Sequence, residues 1–261
     1  MLNAFLGAFG IILLVCIVIA ALGSMAAGSK KKSSNRSGSH IAPNIKMEFI
    51  PDNNVWGPTP EQERHRHTCD PKRKSRIVSV FTKKWFDVAA ESFIVIDIET
   101  TGLSNIIDHI VEIAAIRYEG GMERETFSTL VKPPIVMSDE VIGIHHITNE
   151  MVEDAPTIEE VMPELLDFVG DSLLVGHNVN FDVGFIEIDA RQLGYDPCWS
   201  YVDTISVAKK IIPGLPNYKQ ATVVNALGIR QSIAHRAEED CRACAEIIIK
   251  ALQRLAQGEK F

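Results

Sequence analysis

Two carboxylates, Asp97 and Glu99, stand at alternate positions in the stretch FIVIDIETTGL, residues 93–103. On a β-strand, residues i and i+2 face the same side, so the two acids project together while Ile96 and Ile98 face the opposite layer. Like charges so close repel unless a cation lies between them. The pattern fits a divalent-cation site at a strand end or the acidic outer face of an edge strand, and a spacing this short does not separate the two. Two further stretches add chemistry. LVGHNVNFDVGF sets Asp182 just after an apolar run at 173–175, at the start of a helical pattern, and HRAEED sets His235 five residues before Asp240 and the last helix. Mg²⁺ and Mn²⁺ prefer oxygen ligands of this kind. Four unpaired acids in an apolar setting are costly to bury without cations. His235 is the candidate base, because an imidazole titrates near neutral pH. Two cations roughly 3.5 to 4 Å apart can activate a water and stabilise charge on both the attacking and leaving oxygens of a hydrolytic displacement.

Asp97, Glu99, Asp182, His235 and Asp240, in this order and in these local contexts, resemble the DEDDh branch of the 3′-to-5′ exonucleases. That is the family of the proofreading subunit of bacterial replicative polymerase, RNase T and oligoribonuclease. The resemblance spans about residues 93–255 and leaves the first third of the chain outside it. It implies an α/β fold of the RNase H-like kind, a mixed five-stranded sheet flanked by helices. It also implies two Mg²⁺ or Mn²⁺ ions, with Asp97 bridging both, Glu99 and Asp240 on the ion that activates water, and Asp182 acting partly through metal-bound waters. His235 would take the proton from the attacking water.

The implied substrate is a single-stranded 3′ end, cut to nucleoside 5′-monophosphates. Thr100, Thr101 and Gly102 would let backbone N–H groups approach the terminal nucleotide, and Leu103 would wedge against its base. His145 matches a family position that contacts the terminal sugar or base, whereas His146 stands where many relatives carry a small residue. Asn178 and Phe181 would flank the same cleft. Asp203 matches a recurrent family acid, with no metal assigned to it; Glu112 fits capping or solvation as well as assistance. RNA 3′-end processing of the oligoribonuclease or RNase T kind is an alternative, because the 2′-hydroxyl decides between RNA and DNA and no residue here identifies its reader. A non-catalytic, membrane-bound nucleic-acid-binding module is another.

The elements that must position these residues follow from periodicity. The spacing predicts strands at 93–98, 110–118 and 125–131, the last two joined by a hairpin across Glu119, Gly120, Gly121 and Met122. Thr157 and Glu160 form a capping box before a helix at 158–169 that must accommodate Pro163. A buried strand at 173–176, a helix at 183–193, a strand at 199–202 and a helix at 204–211 come next. Gly228 ends a helix near 218–227, and 237–256 is a long final one. Strands in a hairpin series followed by strands alternating with helices indicate an α/β domain with a mixed sheet.

The front of the chain is of another kind. Residues 4–22 form a run of 19 without a charge or a strong hydrogen-bonding side chain, long enough as a helix to cross a hydrocarbon layer of roughly 30 Å. Lys30, Lys31, Lys32 and Arg36 follow and predict a cytoplasmic C-terminal side. A single-pass anchor over 1–27 is therefore expected, with the N-terminus outside and the membrane as a partner. A cleaved signal peptide is the competing reading, although no positive charge precedes the run. Residues 28–76 read as a flexible basic linker and 77–92 as a helix that docks on the domain through Phe81, Trp85 and Val88, leaving 93–257 as the exonuclease domain.

Charge divides the chain at the same place. Residues 1–92 carry 13 Lys and Arg against 7 Asp and Glu, and residues 93–261 carry 13 against 27. An acidic domain of this kind argues against a broad phosphate-binding groove. Five scattered cysteines are no disulfide framework and fit a reducing compartment. Cys241 and Cys244 read as two buried small residues of one helix rather than a zinc or redox pair. His65, His67 and Cys69 offer three metal ligands with no fourth nearby.

Overall fold

A computed structural model describes residues 75–78, 80, 82–231 and 235–261. Its elements run β1 (Arg76–Ile77), α1 (Lys83–Glu91), β2 (Ser92–Thr100), β3 (Ile110–Glu119), β4 (Met122–Leu130), α2 (Asp139–His145), α3 (Ile158–Val169), β5 (Leu174–Gly176), α4 (Asn180–Gln192), β6 (Ser200–Asp203), α5 (Thr204–Ile211), α6 (Gln220–Ala226) and α7 (Ala237–Ala256). The strands form one mixed sheet in the order β1-β6-β5-β2-β3-β4. β2 pairs antiparallel with β3 and parallel with β5, so it sits where the sheet changes direction.

Alternation along β2 divides the core. Phe93 and Val95 pack with α1, α5 and α7 on one face, through Trp85, Val207, Cys241 and Ile248 among others. Ile94, Ile96 and Ile98 pack with α3 and α4 on the other, through Leu165, Leu166 and Phe185. The buried side of α7 is built largely of small residues, Ala237, Cys241, Cys244, Ala245 and Ala251. That lets the helix lie close on the sheet; the Cys241 thiol donates to the carbonyl of Ala114 at 3.5 Å. A third, smaller apolar cluster of Val111, Met137, Ile147 and Val152 lies beyond β3.

Three expectations are corrected. The sheet has six strands rather than five, because Arg76 and Ile77 pair parallel with Ser200 and Tyr201 at its edge. This brings Arg76 out of the expected linker. The expected helix at 77–92 is a strand residue followed by α1, which starts only after Thr82 caps the N–H of Trp85 at 3.1 Å. Cys198 is disulfide-bonded, a bond that the expected reducing compartment does not favour. Cys241 and Cys244 are free and buried, as read. Among the described residues no helix is long and apolar enough to cross a membrane. The apolar run at 4–22, the tether after it and the HRHTC cluster lie outside the described residues.

Candidate active site

β2, β5 and β6 run parallel, so their C-terminal ends open on one edge of the sheet, the usual place for ligands in sheets of this kind. The β2–β3 register shifts between Glu99 and Thr100, and such a bulge re-aims side chains beside it. Asp97 and Glu99 share the face covered by α7, whose first turn brings Asp240 to them. Ligand oxygens of Asp97, Glu99 and Asp240 lie within 4.8 Å of one another. They line a cavity of about 220 Å³ that also takes in Asp182, His235, Asn178 and Phe181.

Two of the acids are held by neutral donors. Asp182, in the first turn of α4, is buried and accepts the N–H of Ile98 at 3.1 Å, which ties α4 to the strand of Asp97 and Glu99. Asp240 Oδ1 accepts from Gln231 Nε2 at 2.7 Å and Gln220 Nε2 at 2.8 Å, and Oδ2 accepts the N–H of Arg236 at 3.2 Å. Among the described residues none of the four acids is ion-paired with Lys or Arg.

The electrostatic consequence is uniform in sign. Burial pushes the Asp97 carboxyl well above the usual range, and the carboxylates of Asp182, Asp240 and Glu99 push the same way. Glu99 rises to about 8, from burial first and then from Asp240. Burial raises Asp182 against the opposing backbone N–H donors, and raises Asp240 against Gln231 and the charge of His235. Converging hard oxygen donors that resist joint ionisation, with no cation of the protein between them, suit a divalent ion.

His235 is exposed and has φ +60°, a left-handed conformation that few non-glycine residues adopt. Asn178 has φ +62°, and its N–H donates to Asp203 Oδ1 at 3.1 Å; Asp203 also caps α5 through the N–H of Ile205. Phe181 packs on Phe185 with ring centroids 4.9 Å apart and presents part of its ring to the cavity.

Thr100, Thr101, Gly102, Leu103 and His145 do not line the cavity. The Thr100 hydroxyl donates to the carbonyl of Gly102 at 2.6 Å, and Thr101 donates its N–H to the carbonyl of His109 at 2.8 Å. Leu103 is 79% exposed. His145 is buried at the end of α2, its Nδ1 accepting the N–H of Ile147 at 3.0 Å. Sequence reasoning missed His177, Gln220 and Gln231. His177 bridges the hydroxyl of Thr204 at 2.7 Å and the carbonyl of Tyr218 at 2.8 Å, fixing the cavity wall. None of the three stands in a spacing that would have singled it out.

A family model of the RNase T type, described as an exonuclease, matches residues 94–248. The chain is 42% identical over 165 residues to a PolC-type DNA polymerase III of Caldanaerobacter subterraneus subsp. tengcongensis, covering 63% of this chain and 12% of that protein. It is 39% identical over 165 residues to the DNA polymerase III subunit epsilon of Aquifex aeolicus, covering 63% of this chain and 82% of the relative. It thus spans only a small part of the PolC-type relatives it matches. Exonuclease X, solved in complex with 5′-overhanging duplex DNA, superposes with a TM-score of 0.51 at 29% identity, over 64% of this chain and 94% of that one. The zinc-bound E. coli exonuclease I complex with single-stranded DNA shares the fold at TM-score 0.56 and 21% identity, over 65% of this chain and 41% of that one.

Proposed function

This chain belongs to the RNase T exonuclease family, and from that premise we propose that its domain is a metal-dependent 3′-to-5′ exonuclease acting on single-stranded DNA ends. The observation that carries the reading is the convergence of Asp97, Glu99 and Asp240 on one cavity with Asp182 and His235. Asp97, Glu99 and Asp240 would hold Mg²⁺ or Mn²⁺, with Asp182 beside them. Two such ions, when bound, supply Lewis-acid stabilisation and lower the pKa of an attacking water. His235 accepts that water's proton from the open side of the cavity, where an exposed imidazole can exchange it with solvent. Asn178 and Phe181 bound the space left for the terminal nucleotide. With few cations to neutralise phosphates along a strand, the domain grips an end rather than a length. The relatives are DNA polymerase III proteins and the structural neighbour is an exonuclease solved with DNA, which supports DNA over RNA as the substrate class.

The test is digestion of matched 3′-labelled DNA and RNA oligomers in Mg²⁺. Asp97→Ala and Asp240→Ala are expected to abolish release of nucleoside 5′-monophosphates. If either variant digests at the wild-type rate, the site is wrong; binding by the wild type without turnover would make the domain a binding module. We also propose that residues 4–22 anchor the chain with its domain on the cytoplasmic side, on the strength of the apolar run and the four cations after it. Recovery of the full chain in the soluble fraction without detergent would remove that claim.

A further inference from the structure

Resting on the exonuclease reading, we propose that Glu112 and Arg236 form a positioning clamp that sets His235 and Asp240 against β2. Glu112 is 3% exposed, and its cross-strand partner is Glu99. Its Oε1 accepts from Arg236 Nη2 at 2.7 Å and Nε at 3.1 Å. Its Oε2 accepts from Arg236 Nε at 3.2 Å and from the N–H of Ala237 at 3.0 Å. Every one of these contacts ends on two consecutive residues, and those residues lie between His235 and Asp240. Glu112 therefore fastens the start of α7 to the strand next to the one that carries Asp97 and Glu99.

The arrangement answers a mechanical need. His235 is exposed, so little packing fixes its ring, and its backbone sits at φ +60°, where the β-carbon is crowded and neighbours must hold the conformation. The anchored neighbour is Arg236, whose own N–H also reaches Asp240 Oδ2. A planar guanidinium gripping a buried carboxylate through two nitrogens fixes direction as well as distance, which a lysine would not do. Glu112 still adds to the negative charge beside Asp97 and Glu99, and the Arg236 guanidinium offsets part of it. Arg236 makes its ion pair with Glu112, not with Asp97, Glu99 or Asp240, and so does not occupy the place of a metal ion among them.

The experiment compares the wild-type full chain with Arg236→Ala, Arg236→Lys, Glu112→Gln and the double variant Glu112→Gln/Arg236→Ala. It measures kcat and KM on a short 3′-labelled single-stranded DNA in Mg²⁺, thermal melting, and hydrogen exchange of the amides at 235–240. Loss of a group that orients a ligand or base typically costs about 10- to 100-fold in activity, and that fall is expected in kcat for Arg236→Ala and Glu112→Gln with KM little changed. Exchange should rise at 235–240 and stay at wild-type rates in β2 and β3. The double variant should be no worse than the poorer single, and Arg236→Lys should recover part of the rate. Unchanged kcat, losses that multiply in the double variant, or exchange rising throughout the domain in Arg236→Lys and Glu112→Gln would each overturn the clamp. If the wild type itself digests nothing, the exonuclease reading falls, and exchange at 235–240 still decides whether the pair holds the turn.

Discussion

Magnesium is expected to stabilise the domain increasingly as the pH rises from 6.5 to 8, and the magnitude can be worked from Glu99. Its carboxyl keeps a proton up to about 8 in the folded protein, against 4.5 for an unperturbed glutamate. A folded-state pKa raised in this way means that below about pH 4.5 both states are protonated and the group contributes nothing. As pH climbs from there to 8 the unfolded chain ionises freely, the folded one cannot, and stability is lost. The loss is about 1.4 kcal/mol per pH unit, or roughly 2 kcal/mol between pH 6.5 and 8 for an acid titrating alone. Glu99 is only half-buried, so solvent screening reduces this, and about half that figure is the working value. Asp97, Asp182 and Asp240 are raised as well and add with the same sign. His145 and His177 are lowered by burial and act in the opposite sense only below about pH 6.5, which is why the window starts there.

For a domain of this size, about 1 kcal/mol corresponds to roughly 2 to 4 °C in Tm, so melting in EDTA should drop by at least that much over the window. Saturating Mg²⁺ should remove most of the drop, because a cation between the carboxylates reverses the cost of ionising them. Asp97→Asn should raise the EDTA melting temperature at pH 8 while losing digestion, a trade of stability for function common at active sites. The assay is differential scanning fluorimetry at fixed ionic strength, in EDTA and in Mg²⁺. A melting temperature in EDTA that stays level across the window, or an Asp97→Asn protein less stable than wild type at pH 8, would refute the reasoning.

Two substitutions away from the metal ligands test the frame that holds them. At Gly102 an added β-carbon would meet the Asp108 carboxyl group at 2.5 Å, and that carboxylate accepts the N–H of Ser104 at 2.8 Å. Gly102→Ala should therefore displace the loop after β2 at a cost of about 1–3 kcal/mol, read as a lower urea midpoint together with slower digestion, and an unchanged midpoint would count against the close approach. Trp85 is 2% exposed on α1, so Trp85→Ala should cost about 3–5 kcal/mol by the same urea measurement, and a change within about 0.5 kcal/mol would mean that α1 does not belong to the core.

What could be read from the chain follows from how strongly each element marks itself. β2 was legible because four apolar residues lead into charges, and α7 because twenty residues repeat one buried face; its observed bounds coincide with the expected ones. α3 was marked by its capping box, in which Glu160 accepts the N–H of Thr157 at 2.8 Å. β1 was not legible, since two exposed residues carry no period and its pairing with β6 is a tertiary choice. α2 was missed because only His145 of its seven residues is buried, so no apolar stripe announces it. α4 starts at Asn180, earlier than the pattern suggested, after a residue whose side chain makes no cap. Within the site, the charges declared themselves by standing on apolar strands and helix starts. Gln220, Gln231 and His177 had no such contrast with their surroundings, and the inward turn of His145 depends on a packing that spacing does not encode.

The choice of neutral donors explains why the site can be both buried and acidic. A lysine or arginine within reach of Asp97, Glu99 and Asp240 would stabilise them as ions and take the place of a metal. The amides of Gln220 and Gln231 satisfy a lone-pair requirement on Asp240 without adding charge, and the N–H of Ile98 does the same for Asp182. The guanidinium of Arg236 is held by Glu112 on the adjoining strand, and its charge offsets only part of what raises Glu99. Asp182 and Asp240 are thus aligned by hydrogen bonds while all four carboxylates are left electrostatically unsatisfied, and the strain of that state is relieved by the divalent cations that the proposed reaction requires.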